Sequence, residues 1–347
     1  MRRAEAMALL LVLGLVLPST LSAAPPPTWL GLGQGLAATD SPKQVALETK
    51  VAEVEQKDIP APFEKLFAKP KKAFVPMHSF EGYSGGLITP TAYIINQDHA
   101  GLIGMPSFSL SYLYYTDDPM EDGYSLVVTV PFLNRFELGY GGNITNLGKF
   151  HDRAEEQMGA GLGRDDFTLH VFSLRGNVIK ENDFDCPYVP AVTLGAHFKH
   201  NRGIAELDRH AFGTLRRNDM GVCGMDWTAV MSKQVEDPFL HRPLVGSVGV
   251  RITDSSHAGG MGFVDTCKAF VETNVFYKPV DWLTLGYEFR RMQSRYSEDD
   301  LSHLMGRQRH GTNWHMFTVG VNITEGVQLT ALLGGLGTLG VQIKFDL

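Results

Sequence analysis

The stretch Gly123–Gly141, GYSLVVTVPFLNRFELGYG, decides how the rest of the chain is read. Tyr124, Leu126, Val128, Val130 and Phe132 fall on one side of a period of two. After the link FLNR the period resumes, with Phe136, Leu138 and Tyr140 set against Arg135, Glu137 and Gly139. Successive side chains of an extended backbone point to opposite faces, so strict alternation marks a strand with two unlike sides. Two such runs joined by so short a link make a hairpin.

The pattern recurs for most of the chain. SFSLSYLYYT sets Phe108, Leu110, Tyr112 and Tyr114 against Ser107, Ser109 and Ser111. AVTLGAHFKH sets Val192, Leu194, Ala196 and Phe198 against Thr193, His197 and Lys199, and GMDWTAVMSK sets Met225, Trp227, Ala229 and Met231 against Asp226, Thr228 and Ser232. Further on, Leu244, Val248, Val250 and Ile252 oppose Ser247 and Arg251; Val271, Val275 and Tyr277 oppose Glu272 and Asn274. Leu283, Leu285, Tyr287 and Phe289 oppose Thr284, Glu288 and Arg290, and HMFTVGVNI and VQLTALL continue the series. Only the segment from Phe167 to Val178 is untidy. The expectation is about twelve strands.

The links alternate in length. FLNR, YKPVDW and ITEG are short, with somewhat longer links near 180–188 and 235–242, whereas 143–165, 200–222, 254–266 and 293–313 are long. Short turns at one end and long loops at the other describe an up-and-down barrel of the outer-membrane kind. A β-sandwich gives no reason for that segregation. The non-polar face carries large and aromatic residues near strand ends, as a barrel does at its two lipid interfaces. The sequence therefore predicts an all-β, transmembrane, antiparallel barrel over 79–347.

The N-terminal end fits this compartment. Arg2 and Arg3 precede an apolar run from Ala6 to Leu17 and then small residues, the layout of a secretory signal peptide over 1–24. Residues 25–78 read as a periplasmic leader, rich in proline, with a short helical pattern in SPKQVALETKVAEVEQK. After the signal no apolar run reaches the ~20 residues that a membrane helix needs. A formal net charge of -7 does not argue for nucleic acid as a partner. The three cysteines, Cys186, Cys223 and Cys267, are too few for a disulfide scaffold, although Cys223 and Cys267 could pair in an oxidising compartment.

Two stretches resemble known families. TLGVQIKF near the C-terminus, with Gly340, Ile343 and Phe345, resembles the signal that bacterial outer-membrane barrels present to their insertion machinery. Leu347 departs from that pattern, which usually ends in an aromatic residue. The segment GYSGGLITPTAYIINQDHAGLIGMPSFSLSYLYY, Gly82–Tyr115, is similar to the start of the YjbH-like outer-membrane family. That resemblance rests on Gly85, Gly86, Leu87, Ile88, Thr89, Pro90, Thr91 and Ala92, and it implies a role connected with exopolysaccharide. From the residues alone, Gly85, Gly86 and Pro90 mark a constrained turn, either folded into or under the barrel or part of an ordinary first strand.

Candidate chemistry is sparse. There is no G-x-S-x-G elbow and no H-E-x-x-H pair, so neither a catalytic nucleophile nor a metal site is expected, and no cofactor. Arg135, Glu137, Arg251, Glu272, Glu288 and Arg290 are expected to face the lumen, where they either line a solute path or form an ion-paired plug. Arg202, Arg209, Arg216 and Arg217 form a basic loop patch, interleaved with acids, that can contact lipopolysaccharide phosphates or an acidic polysaccharide. The expected function is a non-catalytic outer-membrane channel or export component for a polar solute such as a saccharide. The alternatives are a closed structural or adhesive barrel and, third, a lipid-modifying enzyme.

Overall fold

The computed structural model describes residues 77–96, 102–116, 120–158, 163–186, 188–210, 220–236, 242–293, 313–335 and 337–347. The expected signal peptide, all but the last two residues of the expected leader, and Arg216 and Arg217 of the loop patch lie outside these residues.

Two short strands, β1 (Met77–His78) and β2 (Ser84–Gly85), pair with each other apart from the main sheet. The main sheet opens with β3 (Ser107–Tyr115), β4 (Asp122–Phe132), β5 (Phe136–Asn146), β6 (Asp166–Ile179) and β7 (Ala191–Asn201). A two-residue strand, β8 (Met220–Gly221), is followed by β9 (Cys223–Glu236), β10 (Pro243–Ser255) and β11 (Phe263–Val280). The sheet ends with β12 (Leu283–Arg291), β13 (Asn313–Thr324), β14 (Val327–Gly334) and β15 (Thr338–Asp346). Leaving β8 aside, each strand from β3 onwards pairs antiparallel with the next, and β15 returns to β3. The result is a closed barrel of 12 strands, with β8 added to the end of β11. The closing seam runs from Thr338 opposite Tyr115 to Asp346 opposite Ser107.

The wall is inverted relative to a soluble protein. Lys199, Asp226 and Glu288 are 0% exposed, while Phe172, Trp227 and Phe317 are 52%, 53% and 56% exposed. Charged residues are otherwise almost never fully buried without partners, and large apolar residues are usually covered. Alternation built both faces: the polar stripes face the lumen and most aromatic or aliphatic side chains face out, with inward exceptions at each cluster such as Phe167, Leu169, Phe276 and Met316.

Most turns separate as expected, although the 180–190 link at the short-turn end is longer than the 335–337 link at the other. Leu133–Arg135, Asp281–Trp282 and Glu325–Gly326 close one end tightly. The other end carries longer connections, with helices α1 (Lys149–Met158) and α2 (Ile204–His210) and a tight helical turn at His257–Gly259. The buried side chain of Asn201 ties two of these connections together. Its Oδ1 accepts from the backbone N–H groups of Gly203 and Ile204 at the start of α2, both at 3.1 Å. Its Nδ2 donates to the carbonyls of Gly259 (3.0 Å) and Gly260 (2.8 Å).

Two expectations need correction. The loop expected over 254–266 shrinks to 256–262, because β10 and β11 continue past the alternating region. Asp265 to Ala269 are exposed on both faces, so no alternation announced this part of β11. Cys223 and Cys267 are free and do not pair. β10 lies between the strands that carry them. Two strand spacings are roughly 9–10 Å, beyond the ~7 Å Cα separation that a disulfide spans.

Within β15, Gly340, Ile343 and Phe345 pair with Leu113, Leu110 and Phe108, and Phe345 stacks on Phe108 with ring centroids 5.1 Å apart. Leu347 lies just beyond the strand, its N–H donating to the Pro106 carbonyl at 3.3 Å. Deleting Gly340–Leu347 would strip most of the seam and leave β14 and β3 as open edges. The truncated chain is expected to lose the heat-modifiable gel migration of a closed barrel, and normal migration would show that β15 is dispensable.

Candidate functional site

The lumen contains the chain itself. Residues 77–95 lie inside the barrel, all of them buried. The segment GGLITPTA explains how an irregular backbone is held there without a regular ladder. The N–H groups of Leu87, Ile88 and Thr89 converge on the Glu288 carboxylate at 2.8, 2.9 and 2.9 Å, and the Thr89 hydroxyl joins them at 2.7 Å. Successive N–H groups turned to one side form an anion-binding concavity, here filled by a wall side chain. Gly86 makes the approach possible, since a Cβ at this position would stand 2.2 Å from Glu288 Oε2. A second close approach lies across the lumen, where the Gly82 backbone rests directly on β5. A Cβ on Gly139 would fall 1.6 Å from the Gly82 carbonyl oxygen.

Charge anchors the plug towards the long-loop end. Glu81 pairs with Lys199, with Arg251 (3.0 Å) and with Arg290 (2.9 Å). Asp226 accepts from Lys199 (2.7 Å) and Arg251 (2.9 Å), while Arg251 Nε donates to Glu272 at 3.0 Å. Tyr83 bridges the two sides: its hydroxyl donates to Glu81 at 2.8 Å and accepts from Arg251 Nη2 at 2.9 Å. Three cations thus face three carboxylates. Each buried charge requires such compensation, because desolvating a single ion costs several kcal/mol.

Nearer the short-turn end the anchors are hydrogen bonds. Glu137 accepts from the Ser84 N–H (2.9 Å), the Ser84 hydroxyl (2.5 Å) and the Ile95 N–H (3.1 Å). Arg175 donates to the carbonyls of Ser84 (2.8 Å) and Thr91 and pairs with Glu137 at 3.1 Å. Asn177 and Thr193 donate to the Ala92 carbonyl at 2.9 and 2.5 Å, and Asn274 donates to the Pro90 carbonyl at 2.9 Å. Apolar packing completes the plug: Met77, Phe80, Leu87, Ile88 and Tyr93 form one cluster with wall residues including Phe276 and Met316.

The structure places Glu137, Arg251, Glu272, Glu288 and Arg290 on the inner wall, all buried, and all but Glu272 bonded directly to the plug. Arg135 is a correction. It sits in the turn between β4 and β5, exposed, with Nη1 donating to the Asn177 carbonyl at 3.3 Å. Alternation stops at the last paired residue, Phe136, so it cannot orient a turn residue. Arg202 and Arg209 are exposed at the long-loop end. Sequence reasoning missed Glu81, Tyr83 and Arg175 as site residues. Arg175 sits in the one strand whose pattern looked untidy, because Phe167, Leu169 and Val171 turn inward to an apolar cluster under the long loops.

One pair has the outline of catalytic machinery. His197 Nδ1 lies 2.9 Å from Ser173 Oγ, and His197 Nε2 lies 3.0 Å from Thr228 Oγ1. The Ser173 hydroxyl, however, donates to the Glu81 carbonyl at 2.8 Å. The histidine must therefore donate to Ser173 and cannot serve as its base. Ser173 is also buried beneath the plug, so this pair supports the plug.

Replacing Glu81 with alanine would leave Lys199, Arg251 and Arg290 facing two carboxylates. The loss of docking free energy is expected to be about 3–5 kcal/mol, the usual effect of removing one partner of a buried pair. In detergent-solubilised protein, segment 77–96 should become cleavable by protease while the barrel keeps its heat-modifiable migration. Unchanged protection would show that the ion pairs do not hold the plug.

The fold is similar to several solved barrels. The KdgM porin shares 11% identity with a TM-score of 0.42, over 69% of this chain and 99% of that one. LpxR from Salmonella typhimurium shares 11% identity with a TM-score of 0.39, over 70% of this chain and 100% of that one. The COG4313 outer membrane channel from Pseudomonas putida F1 shares 11% identity with a TM-score of 0.36, over 72% and 97%. These are likenesses of barrel architecture alone. No curated protein matches the chain. A family model does match, across residues 76–342, which takes in the plug together with nearly the whole barrel; the chain belongs to the DUF3034 family, described as a protein of unknown function.

Proposed function

We propose that this protein is an outer-membrane channel for an uncharged polar solute, closed by its own N-terminal plug. The outward face supports the membrane assignment. Its exposed aliphatic and aromatic side chains suit hydrocarbon, and closure of β15 on β3 leaves no strand edge in lipid, where unpaired backbone is not tolerated. The short-turn end, where Pro106 and Leu347 meet, then faces the periplasm. Insertion machinery, lipopolysaccharide around the exposed Arg202 and Arg209, and a signal peptide over 1–24 belong to the same reading.

The observation that carries the channel reading is the asymmetry of the lumen. Charged anchors for the plug lie on β5–β12. The arc formed by β12–β15, β3 and β4 presents Thr284, Thr318, Thr330, Ser109 and Ser125, whose hydroxyls have no hydrogen-bond partner, and buried Lys344 on β15, which pairs with Asp346 at 3.2 Å. The plug's charged anchors concentrate on one side of the barrel; on the other, His78 bonds Thr129 and Gln342, and the remaining wall is mostly hydroxyl-lined. Such a wall can exchange hydrogen bonds with a polyol or saccharide as it passes, without the strong retention that fixed charges impose. The saccharide class agrees with the exopolysaccharide link that the Gly82–Tyr115 resemblance implies. This reading is non-catalytic.

Full-length protein in planar bilayers is expected to be closed. A Glu81→Ala/Glu288→Ala variant that retains heat-modifiable migration should open, and liposome swelling should admit neutral sugars faster than charged solutes of similar size. Absence of conductance in both proteins would favour a closed structural barrel, the reading to which the dense ion-pair cluster also lends itself.

A further inference from the structure

The plug does not fill the lumen completely. A cavity of about 120 Å³ remains at the long-loop end of the lumen, with Phe80, Leu87 and Ile88 of the plug on one side and Leu113, Leu169 and Trp314 on the other. A dry cavity of roughly 150 Å³ lined by such residues takes up one benzene-sized molecule. The space, open on one side and lined mainly by apolar residues, is close in size to a single ring.

The lining is mainly apolar but includes Glu81, Asn143, Thr145 and Thr338 as well as Arg290 and Trp314. Arg290 and Trp314 stand directly opposite each other on β12 and β13, and both border the cavity. The terminal nitrogens of Arg290 are engaged by Glu81 and the Ile88 carbonyl. Its Nε and the Trp314 Nε1 are buried with no hydrogen-bond partner. Two buried unpaired N–H donors on residues in register are unfavourable, and an acceptor brought to them recovers what burial cost. The charge count says what kind of acceptor fits. Glu81, Asp226 and Glu272 already balance Lys199, Arg251 and Arg290, so an added carboxylate would be uncompensated. His257, which also borders the cavity, adds no charge: burial lowers its pKa to about 4.

We propose that this cavity binds an uncharged, single-ring molecule that carries one hydrogen-bond acceptor, presented to Arg290 and Trp314. The site lies nearer the long loops than the unpartnered hydroxyls of the same strands and does not depend on conduction. Because Phe80, Glu81, Leu87 and Ile88 of the plug form one side of the lining, a bound molecule gains its full contacts only while the plug is seated. Ligand therefore stabilises the closed arrangement by linkage.

The test uses full-length protein in detergent with three probes: benzyl alcohol, its near-isostere ethylbenzene, which has no acceptor, and benzoate, which is charged. Benzyl alcohol is expected to bind about tenfold more tightly than ethylbenzene, the effect of one satisfied hydrogen bond, and benzoate more weakly than either. Trp314→Phe should shrink the preference for the alcohol, and Leu113→Phe, which fills the cavity, should abolish binding of both neutral probes. In crystals grown with 4-bromobenzyl alcohol, the anomalous bromine peak should fall beside Trp314, and the alcohol should slow protease cleavage of segment 77–96. Equal affinity for benzyl alcohol and ethylbenzene in the native chain, or bromine found only on the lipid-facing surface, would overturn the proposal.

Discussion

The space between the inner walls of this barrel is occupied by irregular backbone. Irregular backbone in a dry interior is tolerable only if its N–H and C=O groups find partners. That requirement accounts for most of the inner wall. Glu288 answers three consecutive N–H groups, Glu137 answers two more, and Arg175, Asn177, Thr193 and Asn274 answer the carbonyls. The wall residues are polar because the plug has no ladder of its own beyond the two-residue pairing of β1 with β2.

The charged cluster follows from the same constraint. Once Glu81 is carried inside, it needs cations; once Lys199, Arg251 and Arg290 are inside, they need Asp226 and Glu272. Buried ionic groups of this kind are a weak source of stability and a strong source of specificity in some proteins. A plug shifted by one residue would set Glu81 away from its cations and strand all of them. Leu87 and Ile88 add the non-specific part, at about 1.5–3 kcal/mol for each fully buried side chain.

The barrel was legible in the sequence because alternation is a local signal that survives in any strand with unlike faces. Phe108, Trp227 and Val341 can be assigned outward from their neighbours alone. Legibility failed where the physics ceases to be local. The inward turn of Phe167 and Leu169 depends on Phe263 and Ile204, far along the chain. Arg135 belongs to a turn, where the period of two does not apply. Gly85, Gly86 and Pro90 did mark a constrained turn, but nothing near them in sequence announces that its partner is Glu288, about two hundred residues away. The hydroxyl-lined arc was visible as Ser107, Ser109 and Ser111, whereas its relation to the plug was not.

The strands that grip the plug most firmly, β5 to β12, are consecutive, and the seam between β15 and β3 lies on the remaining side of the ring. The grip and the seam can therefore be made at different times. An open, curled sheet can take the plug into its concave side and match charges there, after which the last strand zips shut over the hydroxyl-lined side. Among the plug residues, His78 reaches the seam strand, where Gln342 donates to its carbonyl at 2.9 Å. A finished ring need never be threaded by a charged segment, because the ring can be wound around it.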